Sequence, residues 1–118
     1  MEQIEILSRG GVYLAKLNPA KQAEVGKVRP VVLLNSQVIL DKKPPVVFIC
    51  PLSSKSYSEF NGLHYELAPR DSLKVISYAL LEHCRSISLN RLIHPRIAQV
   101  TNPELDLIFY KLQILLGI

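Results

Sequence analysis

Several features that announce common enzyme classes are missing from this 118-residue chain. Cysteine is scarce: Cys50 and Cys84 stand far apart, with no C-x-x-C pair, so neither a zinc site nor a thioredoxin-like site is supported. Their apolar neighbours make buried free thiols in a reducing compartment the simplest reading. No apolar run approaches the roughly 18 residues of a membrane span. Glu2 and Glu5 stand where a signal segment would be basic, so a cytoplasmic protein without a membrane partner is expected. The 10 acidic residues are scattered, which leaves no cluster of carboxylates for a two-metal site. P-loop, G-x-S-x-G, H-E-x-x-H and EF-hand patterns are absent too. Neither a metal nor a cofactor is expected.

What remains is a chain that can fold. Its 48% hydrophobic content suffices for one small core, and dimerisation would hide more surface. Glycine is infrequent (5 residues) and proline frequent (8), lying between apolar runs, which predicts many short elements. The net charge of +4 favours a polyanionic partner, although an ordinary basic protein carries as much, and Lys42-Lys43 is the only adjacent basic pair.

Strands are predicted over 11–18, 30–35, 46–52 and 63–67, with a long one over 75–87 and a short one over 97–100. Residues 20–28, 36–45 and 53–62 read as polar loops. In 63–67, alternation sets Leu63, Tyr65 and Leu67 on one face, and His64 and Glu66 on the polar one. The period changes at the C-terminus. Thr101 with Glu104 offers a capping box, or Asn102 a cap ahead of Pro103. An apolar stripe from Leu105 to Leu116 then predicts an amphipathic helix stopped by Gly117. The fold class is mainly β, with five to seven short strands and a terminal helix in one barrel-like domain.

Two steps in the chain suit chemistry. Arg29 precedes the rigid Pro30 at the mouth of a buried strand, and Pro30 restricts its backbone to an extended form. A guanidinium fixed there can grip phosphate through two parallel hydrogen bonds, or pair with Glu24 on the surface. Ser53 and Ser54 follow another buried strand, where a hydroxyl is either a positioned functional group or part of a serine-rich turn.

Taken in order, the motifs resemble one family. Arg9-Gly10-Gly11-Val12-Tyr13-Leu14, Leu17-Asn18-Pro19 and Glu24-x-Gly26-x-Val28-Arg29-Pro30-Val31-Val32 are similar to the opening of MazF/PemK-type toxins. Pro51-Leu52-Ser53-Ser54, Leu63-His64-Tyr65-Glu66-Leu67 and Leu81-Glu82-His83-Cys84-Arg85-Ser86-Ile87 resemble the blocks that follow. The likeness spans nearly the whole chain. One departure is Gly11, where relatives usually carry an acidic residue.

The resemblance implies an SH3-like barrel with a C-terminal helix, acting as a homodimer. It implies a sequence-specific, ribosome-independent RNase that cuts single-stranded RNA without metal and is neutralised by a cognate antitoxin protein. The ends would be a 2′,3′-cyclic phosphate and a 5′-OH. A branch with the same fold poisons DNA gyrase instead, and it has no need of Arg29 or Ser53. By this resemblance Arg29 takes the catalytic arginine position and Ser53 the catalytic hydroxyl, with Ser54 as its rival. Glu24 would orient Arg29 or its loop. His83 replaces a Gln common in relatives, where bases would be read, and Arg85 either lines the expected dimer groove or forms a structural salt bridge. Read from its own place, His64 on the polar face of its strand either contacts RNA or is a bystander, and Tyr57 and Phe60 either stack on bases or tack down their loop.

Overall fold

A computed structural model describes residues 6–17, 27–56 and 62–118. Seven strands appear in it: β1 (Gly11–Lys16), β2 (Val28–Leu33), β3 (Val46–Ser53), β4 (His64–Leu67), β5 (Ser77–Leu80), β6 (Arg85–Ser88) and β7 (Leu92–Gln99). A short helix α1 (Gln37–Asp41) joins β2 to β3, and a terminal helix α2 (Asn102–Leu116) closes the chain. The named strand pairs are antiparallel, in the order β4-β5-β3-β2-β1-β7, with β6 also on β3.

The sheet curls without closing. No ladder joins β4 to β7 among the described residues, but the turn after β4 reaches β7, where Ser72 N–H donates to the Ile97 carbonyl at 2.9 Å. The barrel-like expectation thus holds for the architecture, as an open sheet bent round its core.

Strands apolar on both faces are buried on both faces. From β2 and β3, Val31, Leu33, Val47 and Ile49 point into a cluster with Tyr13, Leu40 and Ile87. The alternate residues Val32, Cys50 and Leu52 point the other way, onto Leu105 and Ile108 of α2. Cys50 is fully buried and its thiol titrates well above the ordinary range, chiefly because burial penalises the thiolate and partly because Cys84 lies beside it. Cys84 itself is half-buried, so only one of the two thiols is enclosed as expected; both are free.

Three elements differ from the sequence expectation. Residues 36–45 contain α1, in which Ser36 C=O accepts from the amides of Ile39 and Leu40 while Leu40 plugs the core. Five residues are too few to display a helical period, so nothing in the sequence pattern distinguishes this turn from a loop.

The long strand over 75–87 is broken into β5, a 3-10 turn at Leu81–His83, and β6. Both halves pair with β3, yet from Ile49 to Leu52 the ladder advances three residues while the partner covers six, from Arg85 back to Ala79. The 3-10 turn takes up that surplus.

The short strand over 97–100 belongs to a longer β7. Exposed His94, Pro95 and Arg96 interrupt its pattern, and its pairing with β1 slips between Val12 and Leu14.

Gly11 also finds its reason: a Cβ there would lie 2.8 Å from the Ser8 carbonyl oxygen and 2.9 Å from the Tyr13 ring. Packing, not charge, sets this position.

α2 starts on a full capping box. Thr101 Oγ1 accepts from Glu104 N–H (3.3 Å), and Glu104 Oε1 accepts from Thr101 N–H (2.9 Å). Gly117, with φ of 74°, ends the helix in the left-handed conformation. Arg70, from the turn after β4, clamps Glu104 with both terminal nitrogens, Nη2 to Oε2 at 2.7 Å and Nη1 to Oε1. Both side chains are largely buried, at 18% and 19% exposure.

The Arg70 hydrogen bonds, aided by those from Thr101, hold the Glu104 carboxyl at about 2 instead of the ordinary 4.5. A folded pKa below the unfolded one stabilises at pH above 4.5, and that contribution fades as pH falls toward about 2. Glu104→Gln is therefore expected to destabilise the fold by roughly 2–3 kcal/mol at neutral pH. Urea titrations should show the gap from the native chain closing between pH 4.5 and 2. A gap independent of pH across that window would contradict the assignment.

Candidate active site

The site forms where β2 enters the sheet and β3 leaves it. Lys27 precedes β2 with φ of 66°, a left-handed turn for a residue with a side chain. Its carbonyl accepts from Leu17 N–H at 2.8 Å, which fixes the turn against the end of β1. From there Arg29 pairs with Ala15 of β1. On the other side β2 meets β3, with Val31 opposite Pro51. Continuing that register by two residues sets Arg29 opposite Ser53.

Ser53 is held from the far side as well, being paired with Tyr78 of β5. Its Oγ accepts from Lys55 N–H at 3.1 Å, a turn bond that orients the hydroxyl and leaves its own proton to donate.

These residues line one open pocket of about 280 Å³. Lys27 and Arg29 bring two cations to it, and Ser53, Ser54 and Ser77 three hydroxyls. The other lining residues, among them Leu52, Leu73 and Val75, are apolar, and no carboxylate lines it among the described residues. Ser77 is buried and donates to the Val75 carbonyl at 3.1 Å, so its hydroxyl is committed to the wall. A concave site that gathers two cations and hydroxyl capacity suits a phosphate-sized anion.

Of the residues singled out in the sequence, Arg29, Ser53 and Ser54 come together here. Glu24, Tyr57 and Phe60 lie outside the described residues. His83, on the 3-10 turn, and Arg85, opening β6, are half-buried and do not line this pocket.

His64 differs most from expectation. It is only 5% exposed and lines no part of the pocket, so it does not stand on a polar surface open to RNA. Its Nε2 lies 2.8 and 3.1 Å from the two carboxylate oxygens of Glu82, and its Nδ1 lies 2.8 Å from Ser56 Oγ. Alternation correctly opposed it to Tyr65, but the neighbouring 3-10 turn covers that end of the strand and supplies the polar partner that makes burial tolerable.

Sequence reasoning missed Lys27, Val75 and Ser77. Lys27 stands on a left-handed turn ahead of β2, so strand alternation gives no signal that it joins Arg29. Val75 and Ser77 come from a distant segment that pairing alone brings near. Among the described residues no group of three or more His, Cys, Asp or Glu side chains is arranged to hold a metal ion. No helix among them is long and apolar enough to cross a membrane.

Comparison with known proteins bears on the kinship and the fold. A family described as PemK-like, MazF-like toxin of type II toxin-antitoxin system matches residues 8–116. The Endoribonuclease MazF of Staphylococcus saprophyticus subsp. saprophyticus is 32% identical over 88 residues, which cover 74% of this chain and 72% of the relative. Among solved structures, form I of MazF from Deinococcus radiodurans superposes with a TM-score of 0.81 at 20% identity, covering 98% of this chain and all of that one. A MazE-MazF structure (form II) from the same organism matches with a TM-score of 0.75 at 20% identity, covering 98% and 99%. These structural likenesses carry the fold, and the family match carries the kinship. The chain belongs to the PemK-like, MazF-like toxin family of type II toxin–antitoxin systems.

Proposed function

We propose that this chain is an endoribonuclease that cuts single-stranded RNA at a short preferred sequence, independently of the ribosome and of metal. One observation carries the reading: Arg29 and Ser53 line one pocket together with Lys27, and no carboxylate lines it among the described residues. The name of its 32% identical relative, an endoribonuclease, supports it.

In the reaction, the ribose 2′-oxygen attacks the adjacent phosphorus as its proton departs. The bond to the 5′-oxygen of the next nucleotide breaks, and that oxygen takes up a proton. The products are a 2′,3′-cyclic phosphate and a 5′-OH end, and no water is consumed. Charge gathers on the equatorial phosphoryl oxygens of the five-coordinate state. Arg29 meets that charge with two parallel N–H donors, and Lys27 adds to the local field. Ser53 donates its free proton to a phosphoryl oxygen. Electrostatic support is the main task of Arg29, because a guanidinium releases a proton reluctantly.

A cognate antitoxin and a second copy of the chain are the protein partners in this reading. The MazE-MazF structures support the first. Exposed Leu107, Tyr110, Ile114 and Leu116 along α2 give such partners apolar surface to cover. The setting is the cytoplasm, where messenger RNA is available.

Purified chain incubated with a mixed-sequence single-stranded RNA and excess chelator is expected to yield discrete fragments at the rate seen without chelator. Intact RNA, or cleavage only after a divalent cation is added, would overturn the proposal.

A further inference from the structure

The buried histidine has no part in the reaction just described, yet both of its ring nitrogens are engaged. β3 runs out at Ser53, and Ser54 and Lys55 then lie exposed. Such a segment, if held only by its own turn, would leave the Ser53 hydroxyl loosely aimed. At Ser56 the chain is caught again: its hydroxyl lies 2.8 Å from His64 Nδ1.

His64 opens β4 opposite Leu80 of β5. Glu82, two residues beyond Leu80 on the 3-10 turn, reaches its Nε2 at 2.8 Å. Nε2 meets the Glu82 carboxylate and Nδ1 the Ser56 hydroxyl, so the ring is held from both sides. One imidazole thus fastens the segment leaving β3 to the turn leaving β5. β5 is the strand that also pairs with Ser53.

We infer that Ser56, His64 and Glu82 form a positioning relay that holds the Ser53 hydroxyl in register with Arg29. This role rests on the endoribonuclease reading given above. The His64 side chain is 1% exposed, so it acts through the backbone it anchors and not on RNA. Three features fit a relay better than a core histidine that happens to be satisfied. The chain of bonds ends on the segment adjoining the pocket. The ring is oriented by a carboxylate on its far side. The serine it holds lies three residues after the pocket hydroxyl.

Ser56 is the residue to change, because it is only half-buried and its loss leaves the His64–Glu82 pair intact. In Ser56→Ala the amide of Lys55, which donates to Ser53 Oγ, is expected to exchange with solvent about 10-fold faster. The single-turnover cleavage rate should fall by about 10–50-fold. Binding of an RNA carrying a 2′-deoxy sugar at the cleaved nucleotide should change by less than about 2-fold, since no binding group is lost. Ser56→Thr keeps the hydroxyl and should restore both the exchange rate and the cleavage rate.

The relay is overturned if Ser56→Ala cleaves at the native rate, if its loss lies wholly in binding, or if Ser56→Thr is equally impaired. A native chain that cuts no RNA overturns the endoribonuclease reading, and this role with it. An active native chain beside an unimpaired Ser56→Ala overturns the relay alone.

Discussion

Arg29→Ala is expected to lower the single-turnover rate of RNA cleavage by about 1,000-fold while weakening RNA binding by less than about 10-fold. The asymmetry follows from where charge develops. In the ground state the phosphodiester carries one diffuse negative charge, to which Lys27 and Arg29 both respond. In the five-coordinate state of the proposed reaction the charge grows on oxygens that the Arg29 guanidinium, at the start of β2 with its backbone restricted by Pro30, would meet. Arg29→Lys keeps the charge but loses the planar fork, so it should recover only part of the rate. The fold should tolerate either change, because Arg29 is half-buried at the end of β2 and outside both apolar clusters. A thermal midpoint within a few degrees of the native value would show this. Cleavage by Arg29→Ala within about 10-fold of the native rate would remove Arg29 from the chemistry.

Ser53→Ala should cost about 30–100-fold in the same assay, whereas Ser54→Ala should change the rate by less than about 3-fold. Both serines line the pocket, so proximity does not separate them. Register does. Ser53 ends β3 paired with Tyr78, faces Arg29 when the β2–β3 ladder is continued, and has its hydroxyl oriented by the Lys55 amide. Ser54 lies beyond the strand and is exposed. A hydrogen bond to a charged acceptor contributes about 1.5–3 kcal/mol, and the expected loss follows from its being made best to the phosphoryl oxygens of the transition state. Ser53→Thr, which preserves the hydroxyl, should keep most of the activity. Equal losses in Ser53→Ala and Ser54→Ala would instead point to a serine turn acting as a unit.

Much of this was legible in the chain, and the exceptions have physical reasons. The buried strands at 30–35 and 46–52 showed themselves by being apolar on both faces, and the terminal helix by its period together with Thr101, Glu104 and Gly117. Arg29 and the Ser53–Ser54 pair could be picked out because each adjoins a buried strand. Their meeting was not readable from spacing, since it depends on the pairing of β2 with β3. The break at Leu81–His83 was hidden because its residues look like the strands on either side, and only the double pairing of β3 requires the turn. His64 shows the same limit. A histidine on alternating spacing reads as surface, and the carboxylate that draws it inward sits 18 residues away.

The central claim is that the pocket at Arg29 and Ser53 breaks RNA by attack of the ribose 2′-oxygen. The most direct test is to map a cleavage site in a short single-stranded RNA, then repeat the reaction with a 2′-deoxy sugar at that one nucleotide and identify the product ends. The account predicts a 5′-OH end that polynucleotide kinase labels without prior phosphatase treatment, and no cleavage of the deoxy-substituted strand. A 5′-phosphate product, or undiminished cleavage of the deoxy-substituted strand, would contradict it.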